Sequence, residues 1–247
     1  MKDLSTHSLL LVLGGIAGLG LTTAQGTAAP VNWADITTVD FVTDEVAGSM
    51  DGVNFTFATD GELYTTTNAG GANTNYWTER TDPGTYTSAN VDNGPAATDL
   101  IAFTGGSQSE TYELVFDAPV KDLFMAVLSL GSPTTTITYE FDRDFVLESF
   151  GDGYFTQLGQ VAPLENPSPG VLRGAEAHGL ISFEGVFSSF SWTIPTTETW
   201  HGIIFGVTRK ATEEDIARAN GIPAPPGIGL LALGLAAAVT ARHRRRS

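Results

Sequence analysis

The sequence contains no cysteine and few basic residues. Its 247 residues include 12 Lys and Arg but 28 Asp and Glu, so the formal net charge at pH 7 is −16. The absence of Cys excludes disulfide bonds, thiol nucleophiles and thiolate metal sites. The excess of negative charge repels phosphate backbones, so we expect no nucleic-acid partner. Cations and neutral polar ligands are compatible with this charge.

Familiar catalytic motifs are also missing. The chain has no Gly-x-Ser-x-Gly elbow, no His-Glu-x-x-His, no phosphate-binding loop and no Gly-x-Gly-x-x-Gly fingerprint. Of its 4 histidines, only His178 and His201 lie between the two chain ends. Glu176 and His178 are two residues apart and share a face if they lie on a strand. Neighbouring strands would bring them to His201 as a metal or acid/base cluster. The alternative is that both histidines only form hydrogen bonds to loops or sheet edges.

The N-terminal segment has the order of a secretory signal peptide. Lys2 precedes an apolar run from about Leu9 to Leu21, and small residues follow it. This order predicts a signal helix over residues 1–24, cleaved after about Ala24. An uncleaved anchor helix is the alternative, but the apolar run is short and glycines interrupt it.

The C-terminal segment, residues 222–247, combines three features. A proline motif is followed by an apolar run, and the run is followed by an arginine cluster; the residues are Pro223, Ala224 and Pro225, then 227–241, then Arg242, Arg244, Arg245 and Arg246. As a tail helix of about 22 Å, the apolar run falls short of a hydrocarbon core of about 30 Å. The arginines would stay on the cytoplasmic side and leave the preceding body outside. A plain membrane anchor is the alternative.

This three-part order resembles a PEP-CTERM sorting signal, the tail of many exported proteins of Gram-negative bacteria. The resemblance covers about a tenth of the chain, and Ala224 stands where the family motif usually has Glu. It implies transient anchoring in the membrane and processing by an exosortase at or near the proline motif. It also implies delivery to the cell surface or to an exopolysaccharide (biofilm) matrix.

Between the two ends, at residues 30–210, β-prone runs alternate with turns rich in Gly, Asn, Asp and Pro. About nine such runs predict strands; they are 53–61, 98–106, 110–119, 121–131, 134–142, 144–153, 178–185, 186–195 and 200–208. No helical pattern separates them. The pattern predicts an all-β domain, an antiparallel β-sandwich of jelly-roll type. The run at 121–131 is almost continuously apolar, which predicts a central strand, and the change of parity in 186–195 predicts a bulge or an edge.

A short helix is predicted after the last strand. Thr212 and Asp215 have the spacing of a capping box, and Gly221 is a typical helix end. Residues 211–221 would thus be a helical spacer between the body and the sorting signal. A short disordered acidic linker is the alternative.

Carboxylates are too numerous for one pair to be singled out. Glu176 with Glu184, or Asp142 with Asp144, would suit a glycosidase. Asp142, Asp144 and the Asp-Gly turns would also suit a structural Ca²⁺, although the chain has no EF-hand loop. Solvated turns are the simpler account, and we expect no cofactor.

Aromatic residues are the better indication of binding. Tyr76 and Trp77 lie in a polar segment rich in Asn and Thr, where exposed rings would stack on a sugar face. The alternative is that both side chains fold back over one end of the sheet. Trp33, Trp192 and Trp200 are expected to pack in the core or at its edge.

The function expected from the sequence is that of an exported, non-enzymatic protein of the cell surface or exopolysaccharide matrix. Its expected partners are the secretion machinery, an exosortase, the membrane through the C-terminal segment, and polysaccharide. Two alternatives remain open. One is a carbohydrate-binding module, and the other is a secreted carbohydrate-active hydrolase, which needs two carboxylates or a histidine cluster in one cleft.

Overall fold

The computed structural model describes residue 28 and residues 30–67, 74–79, 84–105, 110–156 and 162–222. The predicted signal peptide and the predicted sorting signal beyond Ile222 lie outside these residues. Within the described part of the chain, no helix is both long and apolar enough to cross a membrane.

The described residues form twelve strands and one helix. The strands are β1 Asn32–Trp33, β2 Asp35–Asp40, β3 Glu45–Met50, β4 Val53–Thr59, β5 Ile101–Gly105, β6 Thr111–Leu130, β7 Ile137–Phe141, β8 Val146–Gly151, β9 Glu165–Ser168, β10 Val171–Gly174, β11 Ala177–Thr193 and β12 Glu198–Lys210, and the helix is α1 Glu213–Ala219. All twelve strands belong to one sheet, and each named pairing is antiparallel. The prediction of an all-β, antiparallel domain is confirmed.

The two longest strands, β6 and β11, lie side by side in the middle of the sheet. The main order is β2-β3-β4-β6-β11-β7-β10-β9, while β12 pairs with β6, β5 and β1, and β8 pairs with β11. The first half of β6 pairs with β4 and its second half with β12. Likewise, β11 pairs with β8 near its start and with β7 at its end. Each long strand therefore has different neighbours in its two halves.

Strand β6 runs through Pro119, where the sequence predicts a break between two strands. Its pairing with β4 ends at Phe116, and its pairing with β12 begins just after the proline. The register with β11 also shifts at this level, between Phe187 and Ser189. Pro119 thus falls between the paired stretches, where a missing backbone N–H costs little. The register shift confirms the bulge that the parity change in 186–195 predicts.

The core covers the second half of β6. Every residue from Leu123 to Leu130 is buried, which confirms the predicted central strand. Rings from strands that are not sheet neighbours meet here, because Phe57 of β4 lies 6.4 Å from Phe205 of β12 and 6.0 Å from Phe103 of β5. Burial of each phenylalanine contributes about 1.5–3 kcal/mol relative to exposure. These contacts join β4 with β5 and β12 in one core.

The predicted helix is present as α1. The Thr212 hydroxyl accepts the Asp215 N–H at 3.2 Å, and the Asp215 carboxylate accepts the Thr212 N–H at 2.8 Å. These two hydrogen bonds form the capping box. A salt bridge from Arg209 to Asp215 attaches the helix to β12, and it holds the pKa of Asp215 well below its usual range.

Candidate functional site

A pocket of about 390 Å³ lies where β6 ends and where β11 and β12 begin. Because β6 is antiparallel to both strands, its C-terminal end meets their N-terminal ends. The lining combines three kinds of group: the carboxyl groups of Glu176 and Glu198, the hydroxyl groups of several Ser and Thr residues, and the rings of Tyr76, Phe155 and Trp200. The pocket thus places acidic, hydroxyl and aromatic groups around one space.

Four aromatic side chains, Tyr76, Tyr154, Phe155 and Trp200, form what we call the aromatic patch. Tyr76 lies 5.0 Å from Tyr154 and 6.0 Å from Trp200, and Phe155 lies 4.9 Å from Trp200. Phe155 is 41% exposed and the other three are half-buried. The Trp200 indole N–H donates to the Thr66 hydroxyl at 2.9 Å, which fixes the ring orientation. Three rings of the patch, those of Tyr76, Phe155 and Trp200, thus line the pocket with apolar surface.

The structure separates Tyr76 from Trp77, which the sequence groups as one aromatic pair. Trp77 is only 6% exposed, its indole N–H donates to the Asp99 carbonyl at 2.9 Å, and its ring packs edge-on against Tyr86. Trp77 therefore belongs to the core, as the alternative of a side chain folded back over the sheet predicts, and it offers no exposed ring for stacking on a sugar. Trp200, which the sequence assigns to core or edge packing, is half-buried against the core and also lines the pocket.

Glu176 enters the pocket from a strained backbone just before β11. Its φ is 63°, and the φ of its hydrogen-bond partner Ser129 is 57°. Left-handed backbone costs non-glycine residues about 1–3 kcal/mol and is concentrated at functional sites. The Ser129 hydroxyl donates to the Glu176 carboxyl. Burial raises the pKa of Glu176, the hydrogen bond from Ser129 opposes this rise, and the charge of Glu198 adds to it.

His178 supports Glu176 from inside the sheet. The imidazole is fully buried, and its Nε2 lies 3.7 Å from the Glu176 Oε1. Its Nδ1 lies 3.2 Å from the backbone nitrogen of Ser129. Because a backbone N–H only donates, Nδ1 is the acceptor and the ring proton is on Nε2, towards Glu176. Gly153 leaves room for the ring, since a Cβ at this position would lie 2.4 Å from Nδ1.

Glu198, at the start of β12, is held by His201. The Glu198 Oε2 lies 2.7 Å from the His201 Nδ1, and the imidazole is fully buried against Phe103. A carboxylate only accepts, so Nδ1 donates and fixes the orientation of the carboxylate. The His201 Nε2 and the Tyr139 hydroxyl are buried and have no hydrogen-bond partner among the described residues. The ring centroids of Tyr139 and His201 lie 5.5 Å apart.

The predicted three-residue cluster of Glu176, His178 and His201 does not form. Strand β6 lies between β11 and β12, so each histidine contacts a different glutamate. Both glutamates line the same pocket instead. Among the described residues, no group of three or more His, Asp or Glu side chains is placed to hold a metal ion.

Of the residues in the predicted carboxylate pairs, only Glu176 lines the pocket. Glu184 is eight residues along β11 from Glu176, roughly 26 Å at about 3.3 Å per residue, and it is exposed. Asp142 and Asp144 are exposed too, and Asp142 forms a salt bridge with Arg143 that lowers its pKa. Glu184 is therefore not the partner of Glu176.

The sequence interpretation missed Glu198 and Phe155. Glu198 and His201 are three residues apart, which on a regular strand places them on opposite faces. The register between β12 and β5 shifts between these two residues, and the irregularity allows their side chains to meet. Phe155 follows β8 in a segment without strand periodicity.

Comparison with family models, with curated proteins and with solved structures found no match to this chain.

Proposed function

We propose that the protein is an exported glycan-binding protein of the cell surface or exopolysaccharide matrix and that the pocket holds a saccharide unit. The observation that carries this proposal is the aromatic patch beside two carboxyl groups and several hydroxyl groups. Aromatic rings stack on the C–H faces of sugars, while carboxylates and hydroxyls bind sugar hydroxyl groups. A volume of about 390 Å³ lies within the range of about 300–1,000 Å³ typical of small-molecule sites.

The charges around the pocket favour a neutral saccharide. Glu176 and Glu198 contribute acidic groups, and no Lys or Arg is among the described residues that line the pocket. The whole chain is acidic as well. An anionic sugar would be repelled at this site, whereas a neutral sugar would keep its hydrogen bonds to the carboxylates.

Replacement of Trp200 by alanine tests the aromatic patch. We expect glycan binding to weaken at least tenfold, about 1.4 kcal/mol, because the sugar loses its stacking surface. The measurement is a glycan array, followed by calorimetric titration of the strongest neutral ligand. Phe41→Ala is the matched control, since Phe41 is 48% exposed in the turn between β2 and β3. Unchanged affinity after loss of Trp200 would contradict the proposed site.

We also propose that the sheet folds into two layers, a sandwich of jelly-roll type. The support is the change of neighbours halfway along β6 and β11, and the contact between Phe57 and Phe205. In a two-layer sandwich, strands that are not hydrogen-bonded neighbours face each other across the core. The body would present the pocket at one end of this sandwich.

Export and sorting through the C-terminal segment form the last part of the proposal. The support is the signal-like N-terminus and the proline, apolar and arginine order of residues 222–247. Deletion of residues 242–247 should leave unprocessed protein and abolish surface display, as measured by cell fractionation and surface labelling. Replacement of the same arginines by lysine keeps the positive charge and should preserve the topology. Normal processing of the deletion variant would contradict sorting by this signal.

A further inference from the structure

The pocket also contains the groups that glycoside hydrolysis requires. We propose that Glu176 and Glu198 hydrolyse a glycosidic bond of the neutral polysaccharide bound there, an inference that rests on the proposed saccharide site. Glu176 donates a proton to the leaving oxygen, and Glu198 takes a proton from the attacking water. Both side chains line the pocket, so both reach the same ligand.

The positions of the two glutamates suit this division of roles. Glu176 directly precedes β11 and Glu198 is the first residue of β12, and these two strands lie on opposite sides of β6. Two strand spacings of about 4.8 Å place the β11 and β12 backbones about 10 Å apart. Inverting glycosidases hold their carboxyl groups about 6.5–9.5 Å apart, which leaves room for a water molecule. A single displacement by water requires such a separation; the intervening strand β6 keeps β11 and β12 apart, while the side chains of both glutamates line the pocket.

The surroundings of the two carboxyl groups differ in the way that a proton donor and a base require. Burial raises the pKa of Glu176 and the charge of Glu198 adds to this, whereas the hydrogen bond from Ser129 opposes it; the net effect favours the protonated form. The other groups that face it are the Ser129 hydroxyl and the His178 imidazole. Glu198 accepts the Nδ1 proton of His201, which orients the carboxylate as an acceptor. His201 is therefore a positioning residue in this proposal.

The reaction balances without a cofactor. The bond between the anomeric carbon and the leaving oxygen breaks, and the proton of Glu176 passes to that oxygen. A water oxygen bonds to the anomeric carbon and gives one proton to Glu198. Exchange with solvent then returns Glu198 to its carboxylate form and Glu176 to its acid form. Each cycle consumes one water, creates one reducing end and inverts the anomeric configuration.

The test measures binding and hydrolysis on the same purified full-length protein. The probes are four soluble neutral polysaccharides: a β-glucan, a mannan, a galactan and a xylan. We expect new reducing ends from at least one of them, with the inverted anomer seen first by NMR. Glu176→Gln and Glu198→Gln should each lower the rate at least 100-fold and retain binding, because loss of one acid or base costs about 10²–10⁴ in rate. Glu184→Gln, on the exposed face of β11, is the matched control and should keep full activity.

The possible outcomes separate this inference from the proposed function. Binding without new reducing ends overturns hydrolysis and leaves the binding proposal intact. Absence of binding to every probe overturns both proposals. A retained anomer overturns the role of Glu198 as the base for water. Equal activity of wild type and of both Gln variants, with unfolding curves that show all three folded, also overturns the assignment.

Discussion

Leucine substitutions at Phe57 and Phe205 test whether the two strands pack across one core. Phe57 is on β4 and Phe205 on β12; both are buried, and their ring centroids lie 6.4 Å apart. Phe→Leu removes three carbon atoms, so at about 0.8 kcal/mol per buried carbon each single variant should lose about 2 kcal/mol of unfolding free energy. Contacting aromatic rings contribute about 0.5–1.5 kcal/mol beyond their burial. The double variant should therefore lose less than the sum of the single losses, by that amount.

The assay is urea unfolding of the wild type, both single variants and the double variant. The matched control is the pair Phe57 and Phe183, which are both buried but whose rings contact other aromatic residues of the described chain and not each other. Separated sites add within about 0.3–0.5 kcal/mol, so the control cycle should show no coupling. Additive losses at Phe57 and Phe205 would refute a shared core and, with it, the proposed two-layer sandwich.

Two further predictions concern the packing of His178 and the ionisation of Glu176. Gly153→Ala should lower the unfolding free energy by about 1–3 kcal/mol because the new Cβ would clash with His178, whereas Gly94→Ala, with its nearest neighbour at 3.6 Å, should change it by less than about 0.5 kcal/mol. Equal thermal stability of both variants would contradict the packing of His178. Folding raises the pKa of Glu176 above its ordinary value of 4.5, so the folded state favours the protonated carboxyl group. This group stabilises the fold fully below pH 4.5, and the stabilisation is lost as the pH rises through the pKa of the folded state. The melting temperature of Glu176→Gln should therefore rise relative to that of the wild type between pH 4 and pH 7. A difference in melting temperature that does not depend on pH would contradict the raised pKa of Glu176.

Apolar periodicity predicted the strands that form the core. Strand β4 buries every second residue at its start, and the second half of β6 is buried throughout. Periodicity did not predict β1, β2, β3, β9 and β10, because these strands are short and carry few large apolar side chains. Every residue of β9 is exposed, so only its pairing with β10 identifies it as a strand.

The candidate site was only partly predictable, since it depends on where polar groups find their partners. The polar residues around Trp77 predicted exposure, but Asn75 accepts the backbone N–H of Trp77 and the Asp99 carbonyl accepts its indole N–H. The polar groups near Trp77 thus form hydrogen bonds to Trp77 and do not mark an exposed surface. Glu198 and His201 were not predicted as a pair because the irregularity between them depends on pairing with β5.

Pairing between β1 and β12 has a consequence for the time at which the body can fold. Asn32 pairs with Val207 and Trp33 with Gly206, so the first strand is bonded to the last. Contacts between residues far apart in sequence form late and slow the folding of β proteins. Strand β1 has to wait until β12 has been synthesised. The edge formed by β1 and β12 can therefore close only after the last strand of the body has been made.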